Sequence, residues 1–227
     1  MEPNKLDRPL GMMRSELEVL RDLVASSGAK RVLEVGMAFG SSTEAILGAL
    51  RTSGGGHLTS IDPFQLLAPP EGFGGEGLAK VRSAGAEDMH TFLPQPDYLA
   101  LPDLVRTGAR FDFVFVDGYH SLDYAMLDVF FADLLLVPGG MLVMHDSTSV
   151  AVYKACQFLR HNKAYRSVGP PLQLIYKSLA RRAGRRVYQL ATGSYSTFRE
   201  RRERWKSLAA FVKQADGLAA EFDVRGL

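Results

Sequence analysis

The chain is poor in several things that would narrow its class. Cys156 is its only cysteine, so no internal disulfide and no cysteine-based zinc site can form. No run of about 18 apolar residues occurs, which argues against a membrane-spanning helix. The first residues, Met1-Glu2-Pro3-Asn4-Lys5-Leu6-Asp7, lack the basic-then-apolar layout of a secretory leader. No internal repeat or low-complexity tract is present. These absences point to a reduced, cytoplasmic globular protein, with Cys156 as a buried structural thiol. The 227 residues, 46% hydrophobic, suffice for one well-buried core with an appendage.

The small net charge of +2 conceals an asymmetry. Residues 1–176 hold 15 Lys/Arg against 20 Asp/Glu, whereas residues 177–227 hold 12 against 5. An acidic body with a basic tail suggests that the tail meets an anionic partner. Phospholipid head groups, an anionic glycan, nucleic acid and the protein's own acidic body are the candidates, against a plain solvated helix face. A lipid surface would make the protein peripheral to a membrane.

Apolar periodicity alternates between helix and strand. Leu17, Val19, Leu20, Leu23 and Val24 recur at helical spacing and predict a helix over about 11–27, closed by Gly28. Strands are expected near 31–36, 57–61, 89–93, 111–117 and 141–146, with helices near 41–50, 76–86, 97–107, 121–136 and 149–161. Residues 164–178 read as a closing antiparallel pair turning at Gly169-Pro170-Pro171. Ser178–Leu227 reads as helical in parts, with Trp205, Leu208, Phe211 and Val212 on one apolar face. The expected division is therefore 1–177 for the main domain and 178–227 for a basic helical extension.

The run Val32-Leu33-Glu34-Val35-Gly36-Met37-Ala38-Phe39-Gly40-Ser41-Ser42-Thr43 carries the first functional signal. It is a buried strand that breaks at an acid-then-glycine turn and enters a helix. Such a turn lets a ligand approach the backbone and presents helix N-terminal amides. Asp62 ends the next apolar strand, where an acid suits ribose hydroxyls. Together these features indicate an adenosine-containing cofactor. Thr43 stands where dinucleotide binding wants a third glycine, which disfavours a diphosphate ligand. A long Pro- and Gly-rich loop at 63–76 follows the second strand tip, and loops of that length tend to be functional. With the first helix, through Met12, Met13 and Phe73, it would frame an acceptor pocket.

These residues resemble a known family. Glu34-x-Gly36-x-Ala38-x-Gly40 with Asp62-Pro63-Phe64-Gln65 is similar to motif I and the second-strand acid of class I S-adenosylmethionine-dependent methyltransferases. Phe111–His120, Asp128, Asp133, and Leu136-Val137-Pro138-Gly139-Gly140 running into His145-Asp146 resemble the small O-methyltransferase branch. That branch includes catechol-type enzymes and bacterial enzymes of sugar and antibiotic tailoring. The likeness spans about residues 11–177 and has Ala38 at the middle glycine of motif I.

The resemblance implies an α/β fold: a Rossmann-like, doubly wound, mostly parallel seven-stranded sheet with a closing antiparallel hairpin. It implies S-adenosyl-L-methionine as cofactor. Glu34 would orient its amino end, Gly36, Ala38 and Gly40 would admit it to the backbone, and Ser42 would donate to its carboxylate. Asp62 would take the ribose and Phe64 would stack near the adenine, with Pro94-Gln95 at the pocket's edge. Asp117, also counted among cofactor contacts and catalytic residues, would hold Mg2+ or another divalent cation together with Asp146. The neighbouring His145 and Ser147 depart from the acid or amide usual there. His120, three residues past Asp117, stands where catechol-type enzymes have a catalytic lysine, and its ordinary pKa near 6.5 suits a general base; capping the helix at Ser121 is the alternative. Asp128 and Asp133 read as helix salt-bridge residues, and His57, His90 and His161 as loop or surface residues.

The expected reaction is O-methylation of a small-molecule or glycan hydroxyl, with homo-oligomerisation allowed and nucleic acid not favoured as a partner. The alternatives are an NAD(P)-dependent oxidoreductase of Rossmann type and a non-catalytic nucleoside-binding protein.

Overall fold

The structure is a computed structural model, and it describes residues 11–172 and 204–218. The chain folds as α1 (Arg14–Ser27), β1 (Arg31–Val35), α2 (Ser41–Thr52), β2 (His57–Ile61), α3 (Glu76–Ser83), β3 (His90–Leu93) and α4 (Asp97–Arg106). It continues through β4 (Phe111–Val116), α5 (Leu122–Leu135), β5 (Leu136–Met144), α6 (Val150–Asn162), β6 (Lys163–Val168) and β7 (Ala209–Leu218). The strands form one seven-stranded sheet in the order β3-β2-β1-β4-β5-β7-β6. β3 through β5 run parallel, and β7 pairs antiparallel with both β5 and β6.

The central strands are apolar on both faces because helices cover both. Val32, Phe113, Phe115 and Val143 pack on one side with Leu20, Val24, Ile46 and Leu50. Leu33, Val35, Val114, Val116 and Leu142 pack on the other with Leu101, Val129 and Leu159. Continuous apolar runs are what a parallel strand buried on two faces requires. Cys156 is in this second core, and burial raises its thiol pKa, as an inert structural cysteine requires. Pro138-Gly139-Gly140, expected as a turn, lies within β5 beside a register shift against β4.

The closing pair differs from expectation. β6 does turn at Gly169, whose α-carbon is packed under the Trp205 ring. Its partner, however, is β7, some forty residues further along, inserted between β5 and β6. Residues 209–218 are therefore strand where the Trp205, Leu208, Phe211, Val212 spacing suggested helix. The helical turn at Arg204-Trp205 stops at Lys206, which has φ 42°. Beyond it Ala209 and Phe211 face one core while Ala210 and Val212 face the other, which is the two-residue period of a strand. The rest of the basic extension, 178–203 and 219–227, lies outside the described residues.

Three basic residues of the extension are described, and all turn to the body. Arg204 pairs with Asp22 at 2.9 Å, and Lys206 Nζ lies 2.9 Å from Met13 Sδ. Buried Lys213 donates to the carbonyls of Asp133 and Leu136 at the end of α5 and pairs with Asp216. Asp133 also bonds Lys163 at 2.7 Å and Tyr165, as a salt-bridge residue should. No helix among the described residues is long and apolar enough to cross a membrane.

Candidate active site

Parallel strands of such a sheet deliver their functional residues at their C-terminal ends. Residues 36–40 follow β1, residues 62–75 follow β2, Asp117–His120 follow β4, and His145-Asp146 follow β5.

The turn after β1 is tightly held. Gly36 has φ 89°, and a Cβ there would collide with the Asp117 carbonyl. Glycine is thus required where β1 and β4 come together. Gly40, at φ 75°, begins α2 and packs on Gly77. Ala38 takes φ 44°, a left-handed conformation uncommon for a residue with a side chain. Its strain is over-determined by neighbours. Asp62 Oδ2 accepts from the amides of Met37 (3.1 Å) and Ala38 (2.7 Å), and Oδ1 accepts from Phe64 (2.8 Å). Fully buried Gln65 donates to the Ala38 carbonyl at 2.6 Å and accepts from the Gly77 amide at 2.9 Å. Asp62 is only 3% exposed, while the Phe64 ring is 47% exposed.

Glu34 lies beneath this turn, entirely buried. Its Oε2 accepts from Thr43 at 2.7 Å and Ser60 at 2.6 Å, and Oε1 is buried without a formed hydrogen bond. Burial raises its pKa to about 7, against the stabilising hydroxyls of Ser42, Ser60 and Thr43. Ser42 is buried beside Glu34. Ser60 also bonds His90 at 2.9 Å, so His90 joins this buried network and is no plain surface residue; desolvation lowers its pKa to about 4.

The tips of β4 and β5 carry the second group. Ligand atoms of Asp117, His120 and Asp146 all lie within 4.8 Å of one another. His120 Nε2 is 3.4 Å from Asp117 Oδ1, and its Nδ1 is 3.5 Å from Asp146 Oδ2. Asp146 adopts φ 47°, a further strained residue at the site. His145 Nδ1 lies 2.9 Å from the same Asp117 oxygen. Burial works against charge on Asp117, yet its bonds to His120 and His145 hold its pKa at about 2. The bond to Asp117 raises His120, with desolvation opposing and Asp146 assisting. Desolvation opposes charge on His145, but Asp117 and Glu16 outweigh it and raise its pKa to about 10.

Three features escaped the sequence reading. Glu16 of α1 and Ser207 before β7 both reach His145. Glu16 does carry a signal, since it shares the apolar face of Leu20 and Leu23 at helical spacing, where an acid is out of place. Gln65 clamps the glycine turn. Asp128, expected in a salt bridge, is instead buried under Gly118, where a Cβ would sit 3.2 Å from its Oδ2 and 4.0 Å from Asp97 Oδ2. Desolvation, with the charge of Asp97 adding to it, raises Asp128 to about 9.

A family model described as a methyltransferase domain matches residues 33–147, just over half the chain and the stretch that carries both groups. The chain belongs to the methyltransferase-domain family. The match sets aside the dinucleotide-dehydrogenase alternative. Solved structures share the methyltransferase fold at low identity. Cofactor-bound Rv0187 from MTB aligns with a TM-score of 0.65 at 17% identity, over 92% of this chain and 84% of that one. The O-methyltransferase TomG from Streptomyces achromogenes, involved in tomaymycin synthesis and in complex with SAM, gives 0.61 at 18%, over 91% and 82%. An O-methyltransferase from Bacillus cereus in complex with SAH gives 0.59 at 16%, over 91% and 84%. No curated protein matches the sequence.

Proposed function

We propose that this methyltransferase-domain protein transfers a methyl group from S-adenosyl-L-methionine to a hydroxyl of a small-molecule acceptor. The observation that carries the reading is His120 set between two carboxylates at the tips of β4 and β5, across from the glycine turn of β1. An imidazole held between carboxylates is placed to take a proton. The names of the SAM- and SAH-bound O-methyltransferases of the same fold support the oxygen acceptor.

The residues after β1 and β2 fit the cofactor. Gly36 and Gly40 set the course of the turn by packing on the Asp117 carbonyl and on Gly77, and Glu34 beneath it is a buried acid that favours a cationic group above. Asp62 retains acceptor capacity beyond its three amide donors, since an ionised carboxylate offers about four lone-pair directions. Phe64 offers an open ring face and Ser42 supports Glu34. When bound, the sulfonium supplies an already activated methyl group. The chain then contributes alignment and a base. At 3.4 and 3.5 Å neither His120 nitrogen is committed to as short a bond as the 2.9 Å contact of His145, so in the neutral ring the nitrogen without hydrogen takes the acceptor's hydroxyl proton, and Asp117 and Asp146 stabilise the imidazolium so formed.

Asp117, Asp146 and His120 also fit a divalent cation. Two carboxylate oxygens and one imidazole nitrogen suit manganese, iron or zinc better than the all-oxygen shell magnesium favours. The ion would supply Lewis-acid polarisation of the acceptor oxygen. Tyr124 meets Tyr98 edge to face at 6.3 Å and Tyr119 at a tilt at 5.5 Å, and these rings before and along α4 and α5 offer faces to an acceptor.

A thermal-shift series with S-adenosylmethionine, S-adenosylhomocysteine and NAD, each with Mg2+, Mn2+ or EDTA, tests the reading, because a ligand of the native state alone raises the melting point. Stabilisation by the two adenosyl ligands and not by NAD is expected. His120→Ala should keep that stabilisation and slow transfer by about 100-fold or more. Undiminished turnover would reduce His120 to a helix cap.

A further inference from the structure

Glu16 is 2% exposed, yet four donors converge on it. The Met13 amide reaches Oε2 at 3.0 Å, and His145 Nε2 lies 3.5 Å from the same oxygen. The amide and hydroxyl of Ser207 reach Oε1 at 2.9 and 2.6 Å. The Ser207 carbonyl in turn accepts from the amide and hydroxyl of Ser147, at 2.8 and 2.5 Å. The start of α1, the tip of β5 and the approach to β7 thus meet on one carboxylate.

The directions of these bonds fix His145. Ser207 has one hydroxyl proton, and Glu16 takes it. At 3.1 Å from His145 Nε2 the serine oxygen must therefore accept, so Nε2 carries hydrogen. Nδ1 faces a carboxylate oxygen of Asp117 and carries hydrogen as well. Both ring nitrogens are used as donors, and neither is left for a metal or a substrate proton. The Asp117 oxygen that Nδ1 secures is the one that faces His120.

We propose that Glu16 is a positioning residue of the transfer site: acting through His145, it fixes the Asp117 carboxylate against His120, so that α1 and the approach to β7 both set the geometry at the reacting end. The proposal rests on the methyl-transfer reading for its kinetic consequence and on geometry alone for the contact.

Nitrogen-15 NMR of the histidine rings, in the full chain without ligands, tests the contact. Glu16→Gln should move the ring signals of both His145 and His120, and Glu16→Asp should restore them in part. Glu18→Gln, at an exposed site on the same helix, should move neither. Movement of His145 alone would overturn the proposal. Should Glu16→Gln fail to fold, Ser207→Ala removes one hydroxyl and should shift both rings by less. In turnover, Glu16→Gln should lower kcat roughly 10- to 100-fold while the cofactor KM stays within about twofold. A loss confined to KM, or unchanged kcat per folded molecule, would overturn it. If S-adenosylhomocysteine stabilises neither wild type nor variants, the methyl-transfer reading fails, and the ring signals still decide the contact.

Discussion

The Asp62 carboxylate holds the amide of Ala38 at 2.7 Å, so the tip of β2 fastens the glycine turn of β1. This acid has a structural task before any ligand arrives. Asp62→Ala would orphan three amides, each costing about 1–3 kcal/mol where buried. Calorimetry with and without S-adenosylhomocysteine should therefore show both a lower melting point and no ligand shift. Loss of the ligand shift at an unchanged melting point would mean that Asp62 does not brace the turn.

Ala38 sits at φ 44°, where a side chain costs roughly 1–2 kcal/mol relative to glycine, which itself loses about 0.5–1 kcal/mol of chain entropy on folding. Ala38→Gly should thus raise stability by up to about 1 kcal/mol in urea unfolding. A clear destabilisation would show that the methyl group packs usefully.

Glu34 titrates near pH 7 because it is buried, with three hydroxyls only partly offsetting that cost. Its folded pKa lies above the ordinary 4.5, so the native state retains a proton that the unfolded chain releases. Stability from this group is therefore lost as pH rises from about 4.5 through 7. A cationic ligand responds in the opposite sense, since it favours the ionised acid. Titration calorimetry should find S-adenosylmethionine bound more tightly at pH 8 than at pH 6, and Glu34→Gln should flatten that dependence. Equal slopes in wild type and variant would sever Glu34 from the cofactor.

Asp128 retains its proton up to about pH 9, through burial and the neighbouring Asp97. Stability falls as pH rises between the unfolded pKa of 3.8 and that value, by up to about 1.4 kcal/mol per unit. Asp128→Asn keeps the shape of the side chain and removes the titration. The variant should gain on wild type steadily between pH 5 and pH 8 in denaturant midpoints, and a constant difference would contradict the assignment.

Much of the site was legible because strand tips are. Buried parallel strands read as apolar runs, and the residue that follows each run lies at the C-terminal edge of the sheet; Asp62, Asp117 and Asp146 are readable in this way, whereas Glu34 sits inside β1 and shows only as an acid within an apolar run. Residues that act by reaching across the chain left weaker traces. Glu16 and His145 are 129 positions apart, and only the tertiary fold joins them. β7 was misread because a tryptophan-to-valine spacing of three, three and one satisfies a helix, while the break at Lys206 depends on a backbone angle no composition records. In the sequence Asp128 is any acid on a helix, and only the fold sets Gly118 above it.

The position of β7 orders the birth of the molecule. Of the described strands a ribosome releases the other six, and all the residues proposed for transfer, before residues 209–218 emerge. Until then β5 and β6 each offer an open row of amides and carbonyls, the form that recruits a neighbouring chain. The nascent chain thus carries this aggregation hazard until β7 is made, and shortening the chain into 209–218 would make it permanent.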